Sequence, residues 1–107
     1  MSGVPAAEDV FRAIADPTRR AILDRLASGP QSVTALLEPL DMTQPAISQH
    51  LRVLRDVGLV RPTRAGRFRL YALQPAPLRD VAKWIDLYRQ FWTDKLGKLG
   101  KYLDESK

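Results

Sequence analysis

The run Met42-Thr-Gln-Pro-Ala-Ile-Ser-Gln-His-Leu-Arg-Val-Leu-Arg-Asp-Val-Gly-Leu-Val60, followed at once by Arg61-Pro-Thr-Arg-Ala-Gly-Arg-Phe-Arg-Leu-Tyr71, decides how this chain is read. At about 100° per residue, Ile47, Leu51 and Leu54 project from one side of a helix and Gln44, Pro45, Ser48, Gln49 and Arg52 from the other. Thr43 is a good N-cap, Pro45 fits the first turn, and Gly58 supplies a stop after about Val57. Beyond it, residues 59–64 and 67–73 read as two strands joined by a tight loop containing Gly66. In the second strand Phe68, Leu70 and Ala72 alternate with Arg67, Arg69 and Tyr71.

Working outward, Val10, Phe11 and Ile14 recur at helical spacing over residues 7–15. Asp16-Pro17 ends that helix and starts a second, which carries Ile22, Leu23 and Leu26 and stops at Ser28-Gly29-Pro30. Ser32 or Val33 opens a third through Leu36 and Leu37 towards Leu40, with Pro39 marking its end. Residues 75–103 hold a C-terminal dimerisation helix, regular from Leu78 onward, and residues 1–6 read as a loose tail. No repeat or long linker divides the chain, so residues 1–107 are expected to form a single domain. It is mainly α with a small β-hairpin, in the order α-α-α-α-β-β-α: the layout of a winged helix-turn-helix.

The 107 residues carry a formal charge of +5, with a pI near 10.0. Arg52, Arg55, Arg61, Arg64, Arg67 and Arg69 crowd into one short stretch, a cluster suited to phosphate or, more plainly, a solvated charged face. Cysteine is absent, which removes disulfides, thiolate metal sites and cysteine nucleophiles. The N-terminus lacks a signal-peptide pattern, and no apolar run approaches the roughly 20 residues needed to span a bilayer. A cytoplasmic protein with no membrane contact is expected. No nucleophile and base arrangement, glycine-rich phosphate loop or metal-ligand spacing is present, so neither an enzyme nor a bound cofactor is expected.

The outward face of the fourth helix has the chemistry of a base reader. Gln can pair with adenine through two hydrogen bonds, Ser is adaptable, and Arg can fork onto guanine or grip a phosphate. The same residues would also suit an ordinary amphipathic surface helix; the basic hairpin beside them favours duplex DNA. His50 borders the apolar stripe and reads as a half-packed residue touching backbone or phosphate rather than a catalytic base. A rival from another class is a winged-helix module whose basic face serves a protein or RNA partner.

The segment Ala15-Asp-Pro-Thr-Arg-Arg-Ala-Ile-Leu23, with Thr43-Gln-Pro-Ala-Ile-Ser-Gln-His-Leu51, Leu54-Arg-Asp-Val-Gly-Leu-Val60 and the basic hairpin ending in Tyr71, resembles the ArsR-type family of bacterial winged helix-turn-helix repressors. The resemblance runs over nearly the whole chain. It implies a sequence-specific, homodimeric repressor of an inverted-repeat operator, with Gln44, Ser48 and Gln49 at base-reading positions and Arg64 and Arg67 at wing-tip positions near the minor groove or backbone. Together with Thr43, Pro45, His50 and Arg52 these are the residues expected to meet DNA. The metal-sensing members carry a cysteine pair before the recognition helix or Asp and His ligands on the last helix. Here the third helix reads Val33-Thr-Ala-Leu-Leu-Glu-Pro-Leu40 and the last has no His, so no metal response is expected.

Along the last helix Leu78, Val81, Ile85, Tyr88, Trp92, Leu96, Leu99 and Leu103 follow three- and four-residue steps, widened by Trp84, Leu87 and Phe91. So long an apolar face suits a subunit interface better than one small domain, although a core helix or a ligand pocket would read alike. The expected interface joins Val10, Phe11 and Ile14 to Val81, Ile85, Tyr88, Trp92, Leu96 and Leu99, as the resemblance implies for the family's first and last helices. An effector, small molecule or protein, is left open.

Overall fold

The short segment between the first two helices shows how tightly this chain is punctuated. Asp16 is the N-cap of the second helix, its carboxylate accepting from the Thr18 N–H at 2.8 Å, with Pro17 in the first turn. The next two arginines reach backwards. Arg19 Nε donates to the Ala13 carbonyl at 2.6 Å, and Arg20 donates to those of Ile14 and Ala15 at 2.8 and 3.1 Å. These are the carbonyls the end of a helix leaves without partners. One five-residue segment thus closes one helix and opens the next.

The computed structural model describes the backbone of residues 7–105 and the side chains of residues 7–94. The expected loose tail at residues 1–6 and the side chains of Leu96, Leu99 and Leu103 lie outside the described residues. The elements are α1 (Ala7–Ile14), α2 (Pro17–Leu26), α3 (Val33–Leu40), α4 (Gln44–Asp56), β1 (Val60–Ala65), β2 (Phe68–Leu73) and α5 (Leu78–Glu105). Their order is the expected one.

Ser32 and Thr43 cap α3 and α4, accepting from the amides of Ala35 and Ala46. Pro39 does not end α3, as its ring had suggested. It sits in the last turn, where its missing N–H forfeits a single helical bond, and the stop comes from Asp41 at φ 52° with Met42 N–H bonded back to the Leu37 carbonyl. At the end of α4, Gly58 takes φ +80° and Leu59 N–H returns to the Leu54 carbonyl, turning the chain into the hairpin.

The hairpin pairs Val60 with Leu73 and Ala65 with Phe68 through a two-residue loop. Gly66 at φ +63°, followed by Arg67 at negative φ, fits a type II′ turn. A third piece of chain joins its base: Gln31 and Tyr71 exchange both backbone hydrogen bonds, at 3.1 and 2.8 Å. The alternation read from the second strand leaves open which face meets the core, and the structure decides it. Tyr71 and Leu73 pack against the core, whereas Phe68 is 70% exposed, because the helices cover the face to which residues 71 and 73 point.

The core gathers Ile22 and Leu26 of α2, Leu36 of α3, Ile47, Leu51 and Leu54 of α4, and Leu59 and Val60 at the hairpin base. Val10 belongs to it as well. At 2% exposure its side chain is buried within its own chain, which leaves almost none of it for the interface expected of it. Val81, also expected there, packs with Leu78 against this core from α5. No buried polar side chain among the described residues lacks a partner. Ile47 is wholly buried in this stripe, so Ile47→Ala should lower stability by about 2–5 kcal/mol, read as a lower urea midpoint at unchanged slope.

Candidate nucleic-acid interface

Burial of Ile47, Leu51 and Leu54 forces the opposite face of α4 outward. Gln44, Pro45, Ser48, Gln49, Arg52 and Arg55 are all exposed. At 100° per residue, Gln44, Ser48 and Arg55 lie within about 40° of one another, with Pro45 and Gln49 towards the far edge. Thr43 is exposed too, but its hydroxyl accepts from the Ala46 N–H at 3.4 Å and serves the cap.

The wing stands beside the nearer edge. A cleft of about 540 Å³ runs between Ser32, Val33 and Thr34 at the start of α3, Gln44 and Ser48 of α4, and Arg67, Phe68, Arg69 and Tyr71 of the hairpin. A smaller hollow of about 230 Å³ next to it gathers Arg52 and Arg55 from α4 and Arg69 from β2 around Ser48, Leu51 and Tyr71. Arg69 lies over the Tyr71 ring, 5.6 Å from its centre. On the other strand Arg64 is the register partner of Arg69, so two cations face each other across the ladder, a costly arrangement without an anion. Among the described residues the ion pairs involve only Arg12, Arg19, His50 and Arg89 on the basic side. Arg52, Arg55, Arg61, Arg64, Arg67 and Arg69 have none.

His50 departs from the expected group. It is half-buried, and its Nδ1 lies 3.4 Å from the Arg19 guanidinium and 3.8 Å from the Asp16 carboxylate, on the side turned towards α1 and α2. It braces α4 against the α1–α2 junction, in the half-packed setting its place at the border of the apolar stripe implied. The Thr18 amide, set against some burial and helped by His50 and Arg19, holds the Asp16 carboxyl below the usual aspartate range.

On α5 the apolar stripe divides. Leu78 and Val81 are absorbed by the core and Ile85 is half-buried, but Trp84, Leu87, Tyr88, Phe91 and Trp92 are 43–71% exposed. Half-buried Phe11 meets Trp84 edge to face at 5.6 Å, and Trp84 meets Tyr88 at 5.4 Å.

The expected list omitted Arg55, Arg69, Tyr71, Phe68 and the start of α3. The helical projection alone could have found Arg55, which falls between Gln44 and Ser48. Ser32, Thr34 and Tyr71 reach the cleft only through tertiary packing, for which the sequence holds no local signal.

Comparison with known proteins agrees with this geometry. The family described as a helix-turn-helix domain matches residues 14–63. The HTH-type transcriptional regulator Rv2034 of Mycobacterium tuberculosis is 39% identical over 104 residues, covering 97% of this chain and 94% of its own length. The transcriptional repressor SdpR of Bacillus subtilis is 38% identical over 77 residues, 72% of this chain and 86% of that one. The solved structure of an ArsR-like transcriptional regulator from Rhodococcus sp. RHA1 superposes with a TM-score of 0.69 at 30% identity, over 90% of this chain and 91% of that one. The chain belongs to the ArsR-type family of winged helix-turn-helix transcriptional regulators. It is a regulator, not an enzyme.

The lowered pKa of Asp16 has a definite sign. A carboxylate held below its unfolded value stabilises the fold above that value, and the contribution disappears as pH falls through the folded one. Asp16→Ala should therefore melt at a lower temperature than the wild type at neutral pH, with the gap closing below about pH 4. Thermal scans of both proteins between acid and neutral pH check this.

Proposed function

We propose that the protein is a homodimeric repressor that binds an inverted-repeat duplex in the cytoplasm and does not respond to metal ions. The observation that carries the DNA reading is the basic cleft beside the polar face of α4, lined by arginines that have no acidic partners among the described residues. In this reading Gln44, Ser48 and Gln49, seated on Pro45 and the Thr43 cap, meet base edges in the major groove. Arg52 joins Arg55 and Arg69 on a phosphate, and Arg64 and Arg67 hold the backbone at the wing tip. SdpR is named a repressor, which supports that direction of regulation.

The dimer reading rests on the uncovered aromatics of α5. Five large side chains from Trp84 to Trp92 exceed what a monomer commonly leaves wet, and aromatic residues are enriched in interface cores. Phe11, Ile14, Ile85, Tyr88 and Trp92 contribute in this proposal, with Leu87 and Phe91 added; Leu96 and Leu99 continue the sequence pattern. The metal-independent reading rests on ligand chemistry, since the chain has no cysteine and one histidine, and that histidine is engaged by Arg19 and Asp16. Cytoplasmic placement is in keeping with the lack, among the described residues, of any helix long and apolar enough to cross a membrane.

Selection from random duplex DNA should enrich an inverted repeat. Gln49→Ala should relax the preference at one base pair by about 1–3 kcal/mol, while Arg67→Gln should weaken all sequences alike and lower the salt slope by about one. An Arg64 or Arg67 variant that altered the preferred sequence while Gln49→Ala preserved it would contradict this division. Leu87 is 71% exposed, so Leu87→Glu should fold normally yet sediment as a monomer at micromolar concentration where the wild type is a dimer. A folded wild-type monomer there would sink the dimer.

A further inference from the structure

Phe68 has no explanation in the fold. It is 70% exposed, and every other large hydrophobic side chain so exposed among the described residues is on α5. Its register partner is Ala65, too small to shelter a ring. Its neighbours in the chain are Arg67 and Arg69, and Arg64 stands opposite Arg69. Strand alternation puts Phe68 on one face of the ribbon and Arg69, with its register partner Arg64, on the other, so the ring and the cations look out to opposite sides of the wing. Duplex DNA offers both environments at once, phosphates for the cations and a wall of deoxyribose and base edges for the ring.

The cleft supplies the direction. Gln44 and Ser48 form one wall and Arg67, Phe68 and Arg69 the opposite one, with Ser32 and Thr34 between them at the start of α3. A phosphodiester strand separates the major groove from the minor groove. If the polar face of α4 occupies the major groove, the bordering strand lies along this cleft, and Phe68 stands on its minor-groove side.

We infer that Phe68 is a minor-groove wedge: its ring presses between the sugars at one base step and partly unstacks it, while Arg67 and Arg69 hold the flanking phosphates. Apolar side chains inserted in this way kink the duplex and make binding depend on how easily a step deforms. This rests on the proposed DNA reading and adds a specificity-determining contact that makes no hydrogen bond to a base.

The probe is the duplex most enriched by the wild-type protein from a random pool, with 2-aminopurine placed in turn at positions flanking each half-site. Phe68→Ala should melt with the wild type, bind this duplex about tenfold or more weakly, and keep the same salt slope, since no phosphate contact is lost. The wild type should brighten 2-aminopurine at one step per half-site, and Phe68→Ala should not. Binding by Phe68→Ala within twofold of wild type, or a loss of affinity with no brightening at any step in the wild-type complex, overturns the wedge and leaves the DNA reading standing. If the wild type enriches no duplex, both fall.

Discussion

The outward chemistry of the protein depends on the burial of one stripe of α4. Ile47, Leu51 and Leu54 are all but inaccessible, locked among Ile22 and Leu26 of α2, Leu36 of α3 and Leu59 at the hairpin base. A helix held on one side has no rotational freedom left, so the direction of Gln44, Ser48, Gln49, Arg52 and Arg55 is set by apolar packing rather than by any contact of their own. Five exposed polar side chains are thereby preorganised at little cost to themselves. Loss of packing in the stripe would also be loss of aim, since a few degrees of rotation shift a long side chain by more than a hydrogen bond tolerates.

Charge is distributed by the same economy. Close to α1 and α2, arginines are matched: Arg19 and Arg20 satisfy helix-end carbonyls, and Arg19 also faces Asp16 and His50. On the side of α4 and the hairpin they are unmatched and crowded. The contrast separates arginines that build the fold from arginines left without an acidic partner among the described residues, although both groups look alike in composition.

Much of this order is legible in the chain, for local reasons. Asp16-Pro17, Ser32, Thr43, Gly58 and Gly66 act through their own backbone preferences, so the helix starts, the turn into the hairpin and the tight loop are readable from a few neighbouring residues. What escapes is whatever depends on remote chain. Apolar spacing shows that Val10 must be covered but not that its own chain covers it. Strand alternation separates two faces of β2 without saying which one the helices meet. The polarity of His50 suggested DNA, and only the approach of Asp16 and Arg19 turned it inward. The Gln31 pairing with Tyr71 joins distant segments and leaves no local trace.

That pairing gives the hairpin an uneven stiffness. A two-stranded ribbon alone is marginal in water, but this one is clamped at its root by the Gln31 bonds to Tyr71, by Gln74 N–H on the Leu59 carbonyl, and by the burial of Val60. From Thr63 to Leu70 only the partner strand supports it. It is a cantilever, with bending compliance gathered at the free end and almost none at the root. A tip so mounted can yield to whatever presses on it without transmitting the strain to the helix beside it.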